Sequence, residues 1–490
     1  MPPGRSLTAR AVIALALMAG FYALALGMAA FLVWVPYASV VYLRPNVGTV
    51  KIAIFCLIGA FIILKSVVPR PDRFTPPGPE LAPDGHPRLF AEIRQTAEAA
   101  GQPMPAEVYL APDVNAWVAQ RGGVLGVGGR RIMGIGLALL QALKVSELRA
   151  VIAHEFGHYH GGDVKLGPLI YRTREALFRT VRGLARHSGL LTKPFEWYAR
   201  LFFRVTHAVS RHQELQADVL AARIASPSAL ARGLIATHRA ALAFGAYWAG
   251  EVSPVLDAGF RPPLVPGFLR FCAAPPVAAD LARATERELR EGKANPYDTH
   301  PSLRDRLAAI GQTDPEPAPP ADPPAITLLD SVSDLEGMLL ASVMRDKAGA
   351  LKPLAWEQVG EAVLRPRWTD FIKSHGHKLR GVRPPEIPAL DWAVLGKELA
   401  DSTGSHGHDE RLAEFTVGAA LALLLLGRGF ALDAPPGGPV LLVRGELKLA
   451  PFGLRSKLIG DGGEVWRRLC VQAGIADAEL GAVRDALRGA

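Results

Sequence analysis

The amino-acid sequence predicts a mainly α-helical fold with a small β-sheet, in which a pair of membrane-crossing helices precedes the folded domains. Two long apolar segments lie within the first 68 residues, a His-Glu-x-x-His motif lies in a segment with helical spacing, and proline-rich stretches divide the remainder. The chain has 490 residues, which is enough for two or three domains, and 49% of them are hydrophobic. Its mean hydropathy of +0.17 is high for a water-soluble protein, so part of the chain is expected to meet lipid.

The first element is a transmembrane helix hairpin formed by residues 1–68. Residues 11–35 are almost wholly apolar, residues 47–68 form a second apolar segment, and each could span the roughly 30 Å of hydrocarbon in a bilayer. A secretory signal peptide is the alternative interpretation of the first segment. Its apolar run exceeds the roughly 7 to 15 residues of a signal peptide and a second span follows, which favours the hairpin.

Positive charges around the hairpin predict its orientation. On the terminal side of the spans the cations are Arg5, Arg10, Lys65, Arg70 and Arg73. The short connection between the spans carries Arg44, with Lys51 at its edge. Because cytoplasmic segments carry the excess of Lys and Arg, both ends of the hairpin are expected in the cytoplasm. We therefore expect an integral membrane protein in which the part of the chain after the spans faces the cytoplasm.

The middle of the chain carries the motif His154-Glu155-x-x-His158. Residues four apart lie one above the other on an α-helix, so the two imidazoles can bind one metal ion while Glu155 faces the open metal position. Neutral imidazoles suit Zn²⁺, and a catalytic zinc site keeps one position for a water whose pKa the metal lowers to about 7. A carboxylate beside that water can take its proton and pass it to a leaving amine. The motif therefore predicts a hydrolytic zinc centre.

The residues around the motif favour a helix. Ser146 is a suitable N-cap, and apolar residues recur at helical spacing over residues 148–156. Gly161-Gly162 is expected to end the helix soon after His158. The metal-binding turn should therefore lie near the C-terminus of the helix.

A third metal ligand is expected from a second helix further along the chain. A helix from about Phe195, just after Pro194, to Ile224 places Glu214 and Asp218 on one face. In this interpretation Glu214 binds the metal, and Asp218 orients a ligand histidine and fixes its tautomer. The alternative is a solvated acidic helix face, which is the usual interpretation of such a pair. The upstream His-Glu-x-x-His motif reverses that preference.

The order of these motifs resembles the membrane metallopeptidases that include HtpX and the CAAX prenyl proteases. The shared pattern is the His-Glu-x-x-His motif, Asp163 five residues after it, and Glu214-x-x-x-Asp218 preceded by Ser210-Arg211. The resemblance covers about residues 91–311.

Two further segments carry the same resemblance. Asn115-Ala116-Trp117 resembles the Asn-Ala-Phe edge-strand region of the family, although Trp117 departs from the usual Phe. Thr299-His300-Pro301-Ser302, with Arg306, resembles the Thr-His-Pro segment of the family. Together with the first two motifs, these segments make the resemblance specific.

The resemblance implies a zincin-like metallopeptidase domain of the gluzincin type, with one zinc ion per chain. The implied zinc ligands are His154, His158 and Glu214. Glu155 would be the general base, and Asp163 and Asp218 would hold the ligand side chains in their orientation. The implied chemistry is hydrolysis of peptide bonds.

The resemblance also implies how a substrate is held. Asn115 would mark an edge strand that pairs with an extended peptide by β-strand addition. His300 would donate a hydrogen bond to the oxyanion of the reaction, which needs a preorganised donor. A histidine before a proline as often only caps or packs, so both interpretations of His300 stay open.

Proline-rich segments divide the rest of the chain into parts. The expected parts are a linker at 69–88, the metallopeptidase domain at 89–311, a Pro-rich linker at 312–324 and an α+β accessory domain of unknown function at 325–490. Within the accessory domain, residues 417–426 predict a buried helix, and residues 440–449 predict a β-hairpin around Arg444-Gly445.

Further transmembrane helices follow the zinc helix in HtpX, and this chain departs from that pattern. Seven arginines interrupt any apolar run of span length within residues 171–210, namely Arg172, Arg174, Arg179, Arg182, Arg186, Arg200 and Arg204. We therefore expect no transmembrane helix there. A two-helix anchor with a largely water-soluble catalytic domain makes cleavage deep within the bilayer the less favoured mode.

Two functional hypotheses follow from the sequence. The first is a membrane-anchored zinc metalloendopeptidase that acts on protein or peptide substrates beside membrane lipid, in membrane protein quality control as the resemblance suggests. The alternative is a non-proteolytic membrane scaffold with a structural metal site. Glu155 favours the enzyme, because a scaffold needs the ligands but no general base. The net charge of +9 comes without a nucleic-acid-binding motif, so no nucleic-acid partner is expected, and the oligomeric state is left open.

Overall fold

The fold is known from a computed structural model of the chain. It describes residues 3–42, 46–68, 74–122, 129–159, 167–292, 301–344, 349, 351–403, 409–457 and 462–489. The chain divides into two compact units. Unit 1 is Met1–Ala240 with Arg283–Val343, and unit 2 is Ala241–Ala282 with Met344–Ala490. The domain boundaries expected from the sequence stay predictions.

Most described residues are helical, and the strands are short. In chain order the helices are α1 (Pro3–Tyr42), α2 (Val47–Val67), α3 (Pro87–Ala99), α4 (Leu137–Ala142), α5 (Val145–Gly157), α6 (Gly167–Ala185), α7 (Gly189–Ile224), α8 (Pro227–Tyr247), α9 (Ser253–Asp257), α10 (Leu264–Ala273), α11 (Pro275–Glu291), α12 (Leu303–Ala309), α13 (Val332–Met344), α14 (Trp356–Val359), α15 (Arg365–His375), α16 (Trp392–Thr403), α17 (Asp409–Gly427), α18 (Leu454–Lys457), α19 (Gly462–Ala473) and α20 (Leu480–Gly489). The strands are β1 (Glu107–Ala111), β2 (Ala116–Arg121), β3 (Arg130–Gly136), β4 (Phe260–Arg261), β5 (Lys352–Pro353), β6 (Ala431–Asp433), β7 (Leu441–Arg444) and β8 (Leu447–Leu449). This architecture confirms the predicted fold class.

The N-terminal helices α1 and α2 are long and apolar enough to cross a membrane. Their apolar parts are Val12–Tyr42 and Val47–Val67, so the first extends beyond its predicted end at residue 35. Within the described residues, one further span would be counted only if α10 and α11, which meet at a bend of 72°, formed one broken helix. Asn46 caps the start of α2 with a capping box. Its side-chain oxygen accepts from the backbone N–H of Thr49, and the Thr49 hydroxyl oxygen accepts from the backbone N–H of Asn46.

Helices α6 and α7 pack against α1 and α2 in one apolar cluster. Its buried members include Phe21 and Ala25 of α1, Ile63 of α2, Leu184 of α6 and Phe202 of α7. In the described part of residues 171–210, neither helix is among the candidate spans by length and composition. The two helices nevertheless lie along the membrane-crossing pair rather than apart from it.

The sheet of unit 1 has three strands in the order β1-β3-β2. Strand β1 runs parallel to β3, and β2 pairs with β3 in the antiparallel direction and forms an edge. Trp117 of β2 lies over Gly134 of β3, where an added Cβ would come within 2.4 Å of the indole ring. The predicted edge strand is therefore present, and the helix α5 packs beside it.

Helix α5 begins and ends earlier than its sequence suggests. Lys144 is the N-cap, and its backbone N–H donates to the carboxylate of Glu147 at 2.9 Å. The predicted N-cap, Ser146, is wrong, because its N–H and its hydroxyl both donate to Asp322 instead. The helix ends at Gly157 with His158 as its C-cap, while Gly161-Gly162 lies outside the described residues.

Helix α7 begins six residues before the predicted start at Phe195. Ser188 is its N-cap, and Pro194 lies inside the helix rather than in front of it. Proline removes one intrahelical hydrogen bond, and in the second turn this loss is offset by packing, since Phe195 beside it is fully buried in the apolar cluster. The predicted end at Ile224 is confirmed.

Unit 2 has its own core, in which the apolar helix α17 is central. Val417, Leu421 and Leu425 of this helix are fully buried, which confirms the buried helix predicted at residues 417–426. Strands β7 and β8 pair in the antiparallel direction across Gly445, which confirms the predicted hairpin. Strand β6 completes a three-stranded sheet in the order β6-β7-β8.

Candidate metal centre

Two helices of unit 1 cross closely and bring the predicted site residues together. Gly157 of α5 lies against Ala217 of α7, where an added Cβ would come within 2.8 Å of the Ala217 Cα atom. A larger residue at either position would separate the helices. The close crossing brings the motif residues of α5 next to Glu214 and Asp218, which lie on one face of α7 at the helical spacing of four.

The imidazole and carboxylate groups converge on one small volume. Nε2 of His154 is 3.4 Å from Oε2 of Glu214, and Nε2 of His158 is 3.6 Å from Oε1 of the same carboxylate. The two imidazole rings are almost perpendicular, with their centroids 4.8 Å apart. Glu155 forms a group with both histidines in which the possible ligand atoms all lie within 4.8 Å of one another.

This geometry fits a zinc ion. Ligands at about 2.1 Å from a tetrahedral zinc are about 3.4 Å from one another. The two distances to Glu214 are close to that value, so little movement of the side chains would be needed. Two imidazole nitrogens and one carboxylate oxygen are also a donor set that catalytic zinc sites use, with one position left open.

Behind His154 lies a buried charged network. Nδ1 of His154 is 2.9 Å from Oδ1 of Asp218, which is fully buried. The guanidinium of Arg306, on α12, donates to both oxygens of Asp218 at 2.7 and 2.8 Å. Because Nδ1–H donates to the carboxylate, loss of the Nε2 proton leaves the Nε2 lone pair directed towards Glu214, the orientation that a metal ligand needs.

The network changes the ionisation of its members. Burial lowers the pKa of His154, but hydrogen bonds to Asp218 and Glu214 raise it more, to about 9. Burial raises the pKa of Asp218, and hydrogen bonds from Arg306 and His154 outweigh it, so that the pKa lies below its ordinary value. In the metal-free protein His154 is therefore protonated at neutral pH, and a metal ion must displace that proton to bind.

The network includes a residue whose partner the sequence did not reveal. Arg306 was noted only as part of the Thr-His-Pro resemblance, and its bond to Asp218 joins residues far apart in the chain. Ser302 caps α12 by accepting from the backbone N–H of Asp305, which sets the start of the helix that carries Arg306. The spacing of the His and Glu residues gave no signal for this contact.

The end of α5 is tied to the edge strand β2. The hydroxyl of Tyr159, directly after His158, donates to the backbone carbonyl of Val118 at 2.8 Å. The guanidinium of Arg131 lies 4.6 Å from the centroid of the Tyr159 ring. Asn115 immediately precedes β2, and its carbonyl accepts from the N–H of Gly136 at 2.7 Å. The strand is therefore fixed beside the metal centre.

Two of the predicted site residues, Asp163 and His300, lie outside the described residues. The structure brings together His154, Glu155, His158, Glu214 and Asp218. Asn115 lies at the start of the neighbouring edge strand. The chemical roles assigned to all of these residues stay predictions.

The sequence was compared with known families and proteins. Residues 83–314 match the model of Peptidase family M48. The chain is 35% identical to Protease HtpX of Idiomarina loihiensis over 77 residues, which are 16% of this chain and 25% of that protein. It is 35% identical to Protease HtpX of Serratia proteamaculans and 36% identical to that of Sodalis glossinidius, each over 86 residues, 17% of this chain and 27% of the relative.

The matched segments cover about a quarter of the length of these relatives. No solved structure gives a significant match. The matched family segment contains α5, α7 and α12, the three helices that carry the metal centre and the network behind it. Together with the two apolar helices, the match to peptidase family M48 and the HtpX relatives support the resemblance seen in the sequence motifs.

Proposed function

We propose that the chain is a membrane-anchored zinc metalloendopeptidase. The observation that carries the proposal is the convergence of His154, His158 and Glu214, with Glu155 on the same helix turn as His154. The names of the HtpX relatives support proteolysis as the activity. The fit of the donor distances to tetrahedral zinc supports the choice of metal.

One zinc ion per chain would be held by His154, His158 and Glu214. Bound there, zinc would supply a Lewis acid that polarises the carbonyl of the scissile bond and makes water acidic enough to attack at neutral pH. Asp218 keeps Nδ1 of His154 protonated, so that Nε2 is presented as the ligand atom. Arg306 neutralises the buried charge of Asp218 and holds its carboxylate in place through two hydrogen bonds.

Glu155 is the proposed general base. Its carboxylate accepts a proton from the attacking water while the new C–O bond forms, and it returns that proton to the leaving nitrogen as the C–N bond breaks. One carboxylate can do both because the proton it gains in the first step is the one it gives up in the second. Asp163 is proposed to support a ligand, and His300 is proposed to stabilise the oxyanion.

The substrate is proposed to be an extended segment of a protein or peptide. Strand β2 has an edge free of further strands within the described sheet, beside the C-terminus of α5. Such an edge can bind an extended peptide by β-strand addition, with Asn115 at its beginning. We place the activity at the cytoplasmic face of a bacterial inner membrane, in quality control of membrane proteins.

The test compares Glu155→Gln with the parent protein in zinc content and in cleavage of a fluorescently labelled unfolded protein. We expect unchanged zinc content and a rate lowered by about 10² to 10⁴, the usual contribution of a general base. Glu98→Gln is the matched control, because Glu98 is exposed on α3 of the same unit. It should leave both properties unchanged.

Two outcomes would contradict the proposal. If Glu155→Gln retained zinc and cleaved at the parental rate, the assignment of the base would be wrong. If the parent bound zinc but cleaved neither proteins nor peptides at any concentration of enzyme, the metal would be structural. The non-proteolytic membrane scaffold would then be the better description.

A further inference from the structure

The helices α6 and α7 form a helical hairpin whose closed end, residues 184–191, is here called the hairpin tip. Four contacts join the hairpin to the membrane-crossing helices, and two of them are made by residues of the tip. Arg179 donates to the carbonyl of Ser66 at 2.9 Å, and Nε2 of His187 lies 3.0 Å from the carbonyl of Phe55. The hydroxyl of Tyr198 donates to the carbonyl of Leu17 at 2.6 Å, and Leu191 packs against Gly59.

These contacts show how far the hairpin reaches along α2. Arg179 meets the last turn of α2 at Ser66, whereas His187 meets the middle of the helix at Phe55. At 1.5 Å per residue, Phe55 lies about 16 Å along the helix axis from Ser66. If α2 crosses the bilayer, the hairpin tip therefore passes the level at which α2 enters the lipid.

The outer face of the hairpin is apolar at positions that no protein covers in the structure. Leu190 at the tip is 76% exposed and Trp197 is 64% exposed, although both are large apolar side chains. Phe178 of α6 and Leu201 of α7 are also exposed. Exposed side chains of this size in one contiguous helical hairpin mark a surface that meets lipid or another molecule.

The exposed charges of the same outer face are mostly cations. Among the described side chains of residues 172–206, the exposed charged ones are Arg172, Arg182, Arg186, Lys193, Arg200 and Arg204. Of the two acidic residues of this stretch, Glu196 is partly buried, and Glu175, whose side chain is 46% exposed, is paired with Arg179 at 3.7 Å. Long cationic side chains interleaved with Trp and Leu are typical of helices at the boundary of a membrane, where the charged ends reach the phosphates.

We propose that the hairpin tip and the outer face of α6 and α7 bind the anionic leaflet of the membrane that α1 and α2 cross. Leu190 and Trp197 enter the lipid, and the exposed cations outside the tip, namely Arg172, Arg182, Lys193, Arg200 and Arg204, extend to the headgroup phosphates. The surface is continuous with the lipid-facing surface of α1 and α2, which distinguishes lipid from a protein partner as its occupant. The hairpin enters one leaflet only, since it lacks the apolar length of a span.

The lipid contact has a consequence for the metal centre. Helix α7 is continuous from Leu190 to Glu214, and Trp197 lies about 26 Å from Glu214 along its axis. The same helix therefore binds lipid at one end and carries a candidate metal ligand at the other. Anchoring the first end sets the height of the metal centre above the leaflet. This inference does not depend on proteolysis.

The experiment measures lipid exposure at single positions of the full-length protein. The native cysteines Cys56, Cys272 and Cys470 are replaced, and a nitroxide is attached at Leu190→Cys or Trp197→Cys in nanodiscs of phosphatidylcholine and phosphatidylglycerol. Val471→Cys is the matched control, because Val471 is 69% exposed on α19 in unit 2. Unchanged zinc binding and a single species in gel filtration show that each labelled protein is folded.

We expect the labels at positions 190 and 197 to collide more often with oxygen than with a water-soluble nickel chelate, and most strongly at 190. The label at 471 should show the reverse. Replacing phosphatidylglycerol by phosphatidylcholine should reduce the ratio at 197 at least twofold, and Lys193→Gln with Arg200→Gln should remove that dependence. Nickel accessibility at 190 and 197 equal to that at 471 would overturn the proposal. Low accessibility to both reagents would also overturn it, because a protein would then cover the surface.

Discussion

His154 and His158 are both histidines and lie on successive turns at the end of α5, yet their surroundings differ. The His154 side chain is 9% exposed and is backed by Asp218 and Arg306. The His158 side chain is 30% exposed and lies at the C-cap of the helix. The candidate metal centre therefore has a buried side, where charged hydrogen bonds hold His154 in place, and an open side, where α5 ends at His158.

If the site is hydrolytic as proposed, this difference lets one helix serve two of its needs. A metal must be held in one geometry, which a buried and fully bonded ligand provides, because moving it would break charged hydrogen bonds in a medium of low dielectric. A substrate and water must also reach the metal, which a half-buried ligand at a helix end permits. On this basis we expect changes on the buried side to affect the stability of the metal-free protein and its affinity for metal. Changes on the open side that leave the ligands in place should affect substrate binding.

The largest effect is expected for His154→Ala. It should abolish zinc binding and also destabilise the metal-free protein by about 1–3 kcal/mol, because Asp218 loses one of its hydrogen-bond donors while remaining buried. His158→Ala should abolish zinc binding with less loss of metal-free stability. Zinc content and thermal unfolding in the presence of a chelator measure both effects. Equal destabilisation by the two substitutions would mean that the two sides do not differ in stability.

A smaller effect is expected for Asp218→Asn. The carboxamide no longer holds the Nδ1 proton of His154 through a charged hydrogen bond, so the affinity for zinc should fall about 10- to 100-fold. Activity should return in part at high zinc concentration, because the ligands themselves are unchanged. Asp305→Asn, at an exposed position one residue from Arg306, is the control. Competition with a fluorescent chelator gives the affinity, and an unaltered value would remove Asp218 from the proposed network.

Sequence patterns revealed the local parts of this site and missed the parts that depend on distant contacts. The spacing of His154, His158, Glu214 and Asp218 placed each pair on one helical face, because helical periodicity is a local property. The N-cap of α5 was misassigned because Asp322, far along the chain, takes both donors of Ser146. The contact of Arg306 with Asp218 was missed for the same reason. Tertiary contacts of this kind leave no periodic signal in the sequence.

The hairpin of α6 and α7 gives a second example. The arginines of residues 171–210 predicted no transmembrane helix, and they gave no indication of what covers the apolar residues between them. The structure packs its buried face, including Leu184 and Phe202, against α1 and α2. A single sequence shows which residues of a helix are apolar, but it does not show which other helix covers them.

Arg306→Lys should have a weaker effect than Asp218→Asn. Lysine keeps the positive charge near Asp218 but cannot donate two parallel hydrogen bonds from one planar group. Zinc affinity should therefore fall severalfold rather than 10- to 100-fold. Arg304→Lys, on the same helix and exposed, should have no effect. A loss as large as that of Asp218→Asn would show that the geometry of the guanidinium matters more than its charge.

The smallest effect is expected on the open side, for Tyr159→Phe. The substitution removes the hydroxyl that donates to the carbonyl of Val118, and it leaves the ring that lies beside Arg131. One such bond contributes about 0.5–1.5 kcal/mol, so a strand that is held less firmly should raise KM about 2- to 10-fold, with kcat and zinc content nearly unchanged. Tyr198→Phe loses the same kind of bond, to Leu17, in the membrane helices and should leave KM unchanged. A lower KM for Tyr159→Phe would instead show that the hydroxyl competes with substrate for the Val118 carbonyl. Tyr159 would then hinder substrate binding on the open side instead of positioning the strand for it.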